Sequence, residues 1–162
     1  MSVDMETVRR TVVSALEDGM EAEVSAVDTA AGHGITTPAP EVYIDHEIVD
    51  ESAVVWPVCL VMPRRSPLQG SAQLQGHVER RYELDIEIWV ADSDQTILTV
   101  WVERLARAAT LVLERASTWA GSGIYNPQAT DVLFSDILPD ESGYLRACRV
   151  VFRVDGIEEY GT

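Results

Sequence analysis

Lysine is absent from this chain: all 12 basic residues are arginine, set against 27 acidic ones for a formal net charge of -15. Two readings account for the absence, GC-rich coding, which favours arginine codons, and adaptation to a salty cytoplasm, where short-range screening makes acidic surfaces tolerable. The shortage of positive charge excludes more. A field of this sign repels phosphate, so the chain is not expected to grip nucleic acid through a basic patch. Self-repulsion also predicts a stability that rises with salt, because the Debye length falls from about 10 Å at 0.1 M to about 3 Å at 1 M. Melting temperatures should climb across that range, and a flat or falling curve would assign the missing lysine to codon usage instead.

Cysteine is nearly absent too. Cys59 and Cys148 each lie in an apolar, strand-like run, the setting of a buried small hydrophobe rather than of a structural disulfide. With 162 residues and 46% hydrophobic content, the chain can form one domain over 1–162 without a staple. A chain of that size removes roughly 70% of its unfolded surface from water. Long apolar runs are missing: Ala53 to Met62 is the longest, about half of the roughly 20 residues a membrane helix requires. No basic-then-apolar leader opens the chain, and the expectation is a soluble protein made in the cytoplasm, with no membrane partner.

Signatures of catalysis are also missing. There is no Gly-x-Ser-x-Gly elbow, no glycine-rich phosphate loop and no Cys-x-x-Cys pair. His33, His46 and His77 are scattered without metal-ligand spacing. In Asp45-His46-Glu47, strand neighbours point to opposite faces, so the triplet does not converge on one site. The expectation is a non-enzyme with no cofactor and no metal.

What is present centres on Arg80 to Trp119. From Arg81 to Val90 the residues alternate, with Tyr82, Leu84, Ile86, Ile88 and Val90 on one face and Glu83, Asp85, Glu87 and Trp89 on the other. That is the pattern of a half-buried strand. Ala91-Asp92-Ser93-Asp94 supplies capping oxygens, and Leu98, Trp101, Leu105, Ala108, Ala109, Val112, Ala116 and Trp119 recur at helical spacing. One long helix of about 25 residues is predicted.

Around this unit, Met5, Val8, Val12, Leu16 and Met20 form the stripe of a first helix with Asp4 or Ser2 as N-cap and Gly19 near its end. Ala22 to Val27 reads as a short strand or a ragged helix end. Strands follow at Glu41 to Ile48 and Ala53 to Met62, the second bulged or at an edge around Pro57. Residues 63–76 read as a long flexible hairpin loop. Gly121-Ser122-Gly123 ends the long helix, Asn126-Pro127 turns the chain, and Thr130 to Leu138 and Tyr144 to Val154 form an antiparallel hairpin. The fold class is α+β: a mainly antiparallel sheet with an N-terminal helix and one long central helix packed on one face, in the order α-β-β-β-α-β-β.

Three constellations bear on function. Glu83, Asp85 and Glu87 share a strand face and could hold a divalent ion, the basis of a remote metal-dependent nuclease reading, though such a site lacks a lysine to manage phosphate charge. A solvated or subunit-facing surface is the plainer account. The long helix carries Ile97, Val100 and Leu111 on a second side with Glu103, Arg104 and Arg107, and a helix apolar on two sides has two neighbours, either both in the same subunit or one of them another protomer. Finally, no acid occurs between Glu51 and Glu79, so Arg64 and Arg65 at the foot of the loop, with its Leu68 and Leu74, form the one neutral-to-positive projection and the expected partner contact. The runner-up to self-association is a monomeric adaptor binding through this loop.

The chain resembles the tail terminator proteins of long-tailed viruses of bacteria and archaea. The likeness runs through the first helix, Pro38-Ala39-Pro40-Glu41-Val42-Tyr43, a strand into Met62-Pro63-Arg64-Arg65, the strand Tyr82 to Val90, Ala91-Asp92-Ser93-Asp94-Gln95 opening a helix with Val102-Glu103-Arg104-Leu105, and a closing hairpin. The resemblance implies a homo-hexameric ring capping the tail tube in the virion. Its partners would be the tube protein and a neck or head-closure protein, with DNA passing through without specific binding and loop 63–76 facing tube or lumen. Neck, head-closure and tail-completion proteins share this element order, and a head-closure or other neck connector role is the alternative. The missing lysine fits a virus of a halophilic archaeon or of a GC-rich bacterium.

Overall fold

The computed structural model describes residues 3–45, 55–65, 73–74, 77–141 and 143–159. Helix α1 spans Met5–Ala31, its N-terminus capped by Asp4, whose carboxylate accepts from Thr7 N at 2.7 Å. The predicted stripe of Val8, Val12, Leu16 and Met20 is fully buried, and it continues through Val24 and Val27. So Ala22 to Val27 is helix, and Gly19 is interior to α1 rather than near its end. The reason is a close crossing. A Cβ on Gly19 would lie 2.9 Å from Cγ1 of Val112 on the second long helix, so glycine is kept at some cost in helix propensity because it lets the two backbones approach. Val112 is β-branched and stiff, and cannot swing aside. Gly19→Leu is therefore expected to destabilise the fold by about 2 to 3 kcal/mol in urea titration, and an unchanged midpoint would show that the helices have room to part.

Strands β1 (Val42–Ile44), β2 (Val58–Arg65), β3 (Gln73–Leu74) and β4 (His77–Asp92) precede α2 (Gln95–Glu114) and the single turn α3 (Ala116–Trp119), and β5 (Ile124–Phe134), β6 (Leu138–Asp140) and β7 (Gly143–Glu159) close the chain. The anticipated order is met, with β3, α3 and β6 as short additions. The sheet runs β1-β2-β4-β7-β5, antiparallel except that β1 and β2 are parallel, and the α+β class is as expected. Its backbone is the β4–β7 ladder, unbroken from His77 opposite Glu159 to Asp92 opposite Tyr144.

Several boundaries move for identifiable reasons. Pro57 lies before the ladder rather than in it, β2 opening at Val58, and the proline that β2 does contain, Pro63, sits beside a register shift. Pro63, Arg64 and Arg65 belong to β2, and Gln73 and Leu74 pair with Val78 and His77, so part of the expected loop is strand. Leu68, and with it most of the loop between, lies outside the described residues, as does the end of the strand expected at Glu41 to Ile48. Helix α2 stops at Glu114 because Arg115 is extended at ψ 125°, and α3 then brings Trp119 back so that its indole donates to Leu113 O at 2.6 Å, satisfying a carbonyl that the helix end leaves open. The ring also stacks on Phe152 at 5.5 Å. Asn126-Pro127 does not end a strand. It sits at a register shift in β5, with Asn126 at φ 52°, and β5 is an edge strand where proline withholds nothing from a neighbour.

Both helices pack on one face. Tyr82, Leu84, Ile86, Ile88 and Val90 all enter the core beneath them, joined by Cys59, Cys148, Val150, Phe152 and Val154. The two cysteines are buried free thiols, as read from their apolar surroundings. Burial pushes both thiols up, Cys148 to about 12, so neither is a reactive thiolate at neutral pH.

Candidate assembly surfaces

Among the described residues no helix covers the opposite sheet face. Its apolar members Val58, Leu60, Leu145, Ala147 and Val151 are nonetheless buried, and the longer side chains beside them are charged or aromatic. These side chains are ordered by charge. Arg149 Nε donates to Glu87 Oε1 at 2.8 Å while Trp89 Nε1 donates to Glu87 Oε2 at 3.1 Å. Arg81 Nε donates to Asp155 Oδ1 at 2.9 Å, and Asn126 Nδ2 to Asp155 Oδ2 at 3.0 Å. Burial raises the Asp155 carboxyl, but these two bonds and the nearby arginines outweigh it and hold the group below the ordinary carboxylate range. Arg64 NH1 approaches Asp85 Oδ1 at 3.6 Å, and Arg153 bonds to Gln128. On this face Arg64, Arg81, Arg149 and Arg153 stand against Glu79, Glu83, Asp85, Glu87, Asp131, Asp155 and Glu159. In a chain of 12 basic and 27 acidic residues, this face gathers four of the arginines and sets three of them against carboxylates, Arg64 on Asp85, Arg81 on Asp155 and Arg149 on Glu87.

The same contacts bear on the nuclease reading. Of the three aligned acids, Glu87 is engaged by Arg149 and Asp85 lies against Arg64, so the face already supplies cations to two of the carboxylates. Among the described residues no group of three metal-ligating side chains converges.

At one end of this face is an apolar outcrop. Leu133, opposite Arg149, is 45% exposed and Leu138, opposite Leu145, 42%, while Phe134, opposite Cys148 and 44% exposed, stands on the other side of the same edge strand. A cleft of ≈ 240 Å³ runs beside them, lined by Glu87, Trp89, Leu133, Phe134 and Arg149 among others. A long edge strand with bare apolar side chains is a template for pairing unless something covers it. Sequence reading missed this patch, although Val132-Leu133-Phe134 carried a signal: three consecutive apolar residues in a strand cannot all face inward.

The structure spreads the long-helix candidates over different environments. The sheet and α1 both flank α2 within the same chain, and Ile97 and Val100 are half-buried. Glu103, Arg107 and Leu111 face solvent. Arg104 turns inward instead, with NH1 donating to Asp28 Oδ1 at 2.8 Å and to Ile35 O at 2.8 Å, and NH2 to Gly32 O at 3.2 Å. Asp28 also accepts from Thr37 N and from Thr37 Oγ1, each at 2.7 Å, and Trp101 Nε1 donates to Thr36 O at 3.1 Å. Residues 32–37 are thereby tied to both helices. Burial pushes the Asp28 carboxyl up, but the Thr37 and Arg104 bonds prevail and hold it below its usual range. Of the loop candidates, Arg64 is placed on the open sheet face. Arg65 and Leu74 are placed by their backbones in β2 and β3, and Leu68 lies outside the described residues.

No protein-family model matches the sequence, and no curated protein does. Among solved structures, a chain from the virion of a native gene transfer agent particle is similar at 14% identity and a TM-score of 0.36, over 90% of this chain and 97% of that one. A likeness this distant carries no weight for function.

Proposed function

We propose that this chain is a structural virion subunit that self-associates into a ring at the head-proximal end of a viral tail tube, ending tube growth and joining tail to neck around a DNA conduit. The sheet face opposite the helices supports this reading: it gathers four of the chain's twelve arginines, three of them against carboxylates, and it runs to an edge where Leu133, Phe134 and Leu138 are exposed. A chain of net charge -15 meets a copy of itself with least repulsion there. The outward residues Glu103, Arg107 and Leu111 of α2 offer a second contact to a neighbouring protomer, and Arg64 with Arg65 a contact to the tube. The resemblance in element order to tail terminators points the same way. Remaining surface carboxylates would line the conduit and keep DNA phosphates from sticking to its wall.

The test is mass in solution, at 0.1 M and at 1 M salt, alone and with the tube protein of the same virus. A closed oligomer in any of these conditions supports the ring, and a monomer that also fails to bind tube removes it. A closed oligomer that binds portal-side neck protein but not tube would favour the head-closure alternative.

A further inference from the structure

A second concave surface lies on the other side of the molecule, between α1 and the loop leading to β1. Its volume is ≈ 840 Å³, within the size range of sites that bury a short segment or small ligand. Glu17 and Glu21, one helical turn apart on α1, form one rim, and Glu41 lies across from them. Pro38, Pro40, Pro57, Tyr43 and Trp56 make the floor and walls. Among the described residues no basic side chain lines the groove, and none forms an ion pair with Glu17, Glu21 or Glu41. Burial is the main reason the Tyr43 hydroxyl is raised, and Glu17 and Glu21 add to it, so their negative field reaches the floor of the groove.

The groove is also built in advance. Its loop wall is held by Arg104 and Asp28 through Ile35, Gly32 and Thr37, and by the Trp101 indole through Thr36 O. Little ordering would remain to be done on binding, which favours affinity.

We infer that this groove receives an extended segment of another protein in which arginine or lysine is interspersed with proline. Flat aromatic and proline walls suit a polyproline-type backbone, which has no internal hydrogen bonds to break and little entropy to lose. The aromatic faces and the rim carboxylates both suit a cation, which a second copy of this acidic chain is poorly equipped to supply. The chain's own arginine pair beside Pro63 is committed to β2, with Arg64 against Asp85. The inference is independent of the ring.

Fluorescence anisotropy at 0.1 M salt, with the intact protein, decides it. A labelled nine-residue peptide of alternating proline and arginine should bind, at least tenfold tighter than a glycine-arginine peptide of equal charge, and a proline-glutamate peptide should not bind. Glu17→Gln combined with Glu21→Gln should weaken binding tenfold or more at unchanged melting temperature, and Trp56→Ala should erase the preference for proline. Equal binding of the two arginine peptides, or binding untouched by the double Gln variant, would mean nonspecific attraction to an acidic surface and overturn the proposal. So would a dimer in solution that the double Gln variant dissolves, since a second copy would then be the occupant.

Discussion

Replacing Arg104 with methionine is expected to lower stability by about 3 to 5 kcal/mol, the usual cost of leaving one partner of a buried ion pair behind. The pair qualifies as buried: the Arg104 side chain is 9% exposed and that of Asp28 15%. Loss of the guanidinium strands the Asp28 carboxylate and also frees the carbonyls of Gly32 and Ile35, so the chain between α1 and β1 should loosen before the core does. For a domain of this size the melting temperature should fall by roughly 6 to 20 °C. Asp28→Asn in the same background should restore part of the loss, because it removes the stranded charge. The pair also has a pH signature. The Asp28 carboxyl is held low in the folded state, so its contribution is present above the ordinary carboxylate range and is lost as pH falls through the lowered folded value. The stability gap between the natural protein and Asp28→Asn should therefore be widest at pH 7 and close toward pH 3 in urea titrations. A loss under 1 kcal/mol for Arg104→Met, with no change in the gap, would make the pair a surface contact of little consequence.

That clamp also shows where sequence reading stops. The strand from Tyr82 to Val90 and the stripe of Val8, Val12, Leu16 and Met20 were legible because each has a clean period, and period is set by which side faces the core. Arg104 was placed on an outer side of α2 for the same reason. An arginine reads as solvated until a carboxylate distant in the chain, here Asp28, is known to face it. Gly19 and Trp119 failed differently. A glycine on a helical pattern reads as an end, although here it marks a crossing, and a tryptophan at helical spacing reads as continued helix, although here its indole caps the helix end. The stripe did carry the correction, since Val24 and Val27 continue the spacing of Met20 beyond Gly19. Charge was legible only as a total. That the arginines gather on one sheet face follows from register, with Arg149 opposite Glu87 and Arg81 opposite Asp155, and register is set by partners far away in sequence.

The apolar outcrop should decide assembly. Leu133 and Phe134 are 45% and 44% exposed, so replacing both with aspartate costs the isolated subunit little, and its melting temperature should stay within a few degrees of the natural protein's. At an interface the same change places two charges where water is excluded, beside Glu87, and adds repulsion in a chain already at -15. Hot-spot truncations typically cost about 2 to 4 kcal/mol, so association should weaken by roughly 30-fold to 1,000-fold. A screened charge repulsion recovers with salt, and a lost apolar contact does not. Raising salt from 0.1 to 1 M should therefore restore little of the association, whereas an Arg81→Glu variant, which unbalances the open face away from the outcrop, should recover part of it. Sedimentation at both salts separates the cases. Full assembly of the Leu133→Asp, Phe134→Asp protein would exclude β5 from the joint and leave the outward side of α2, at Glu103, Arg107 and Leu111, as the surface between protomers.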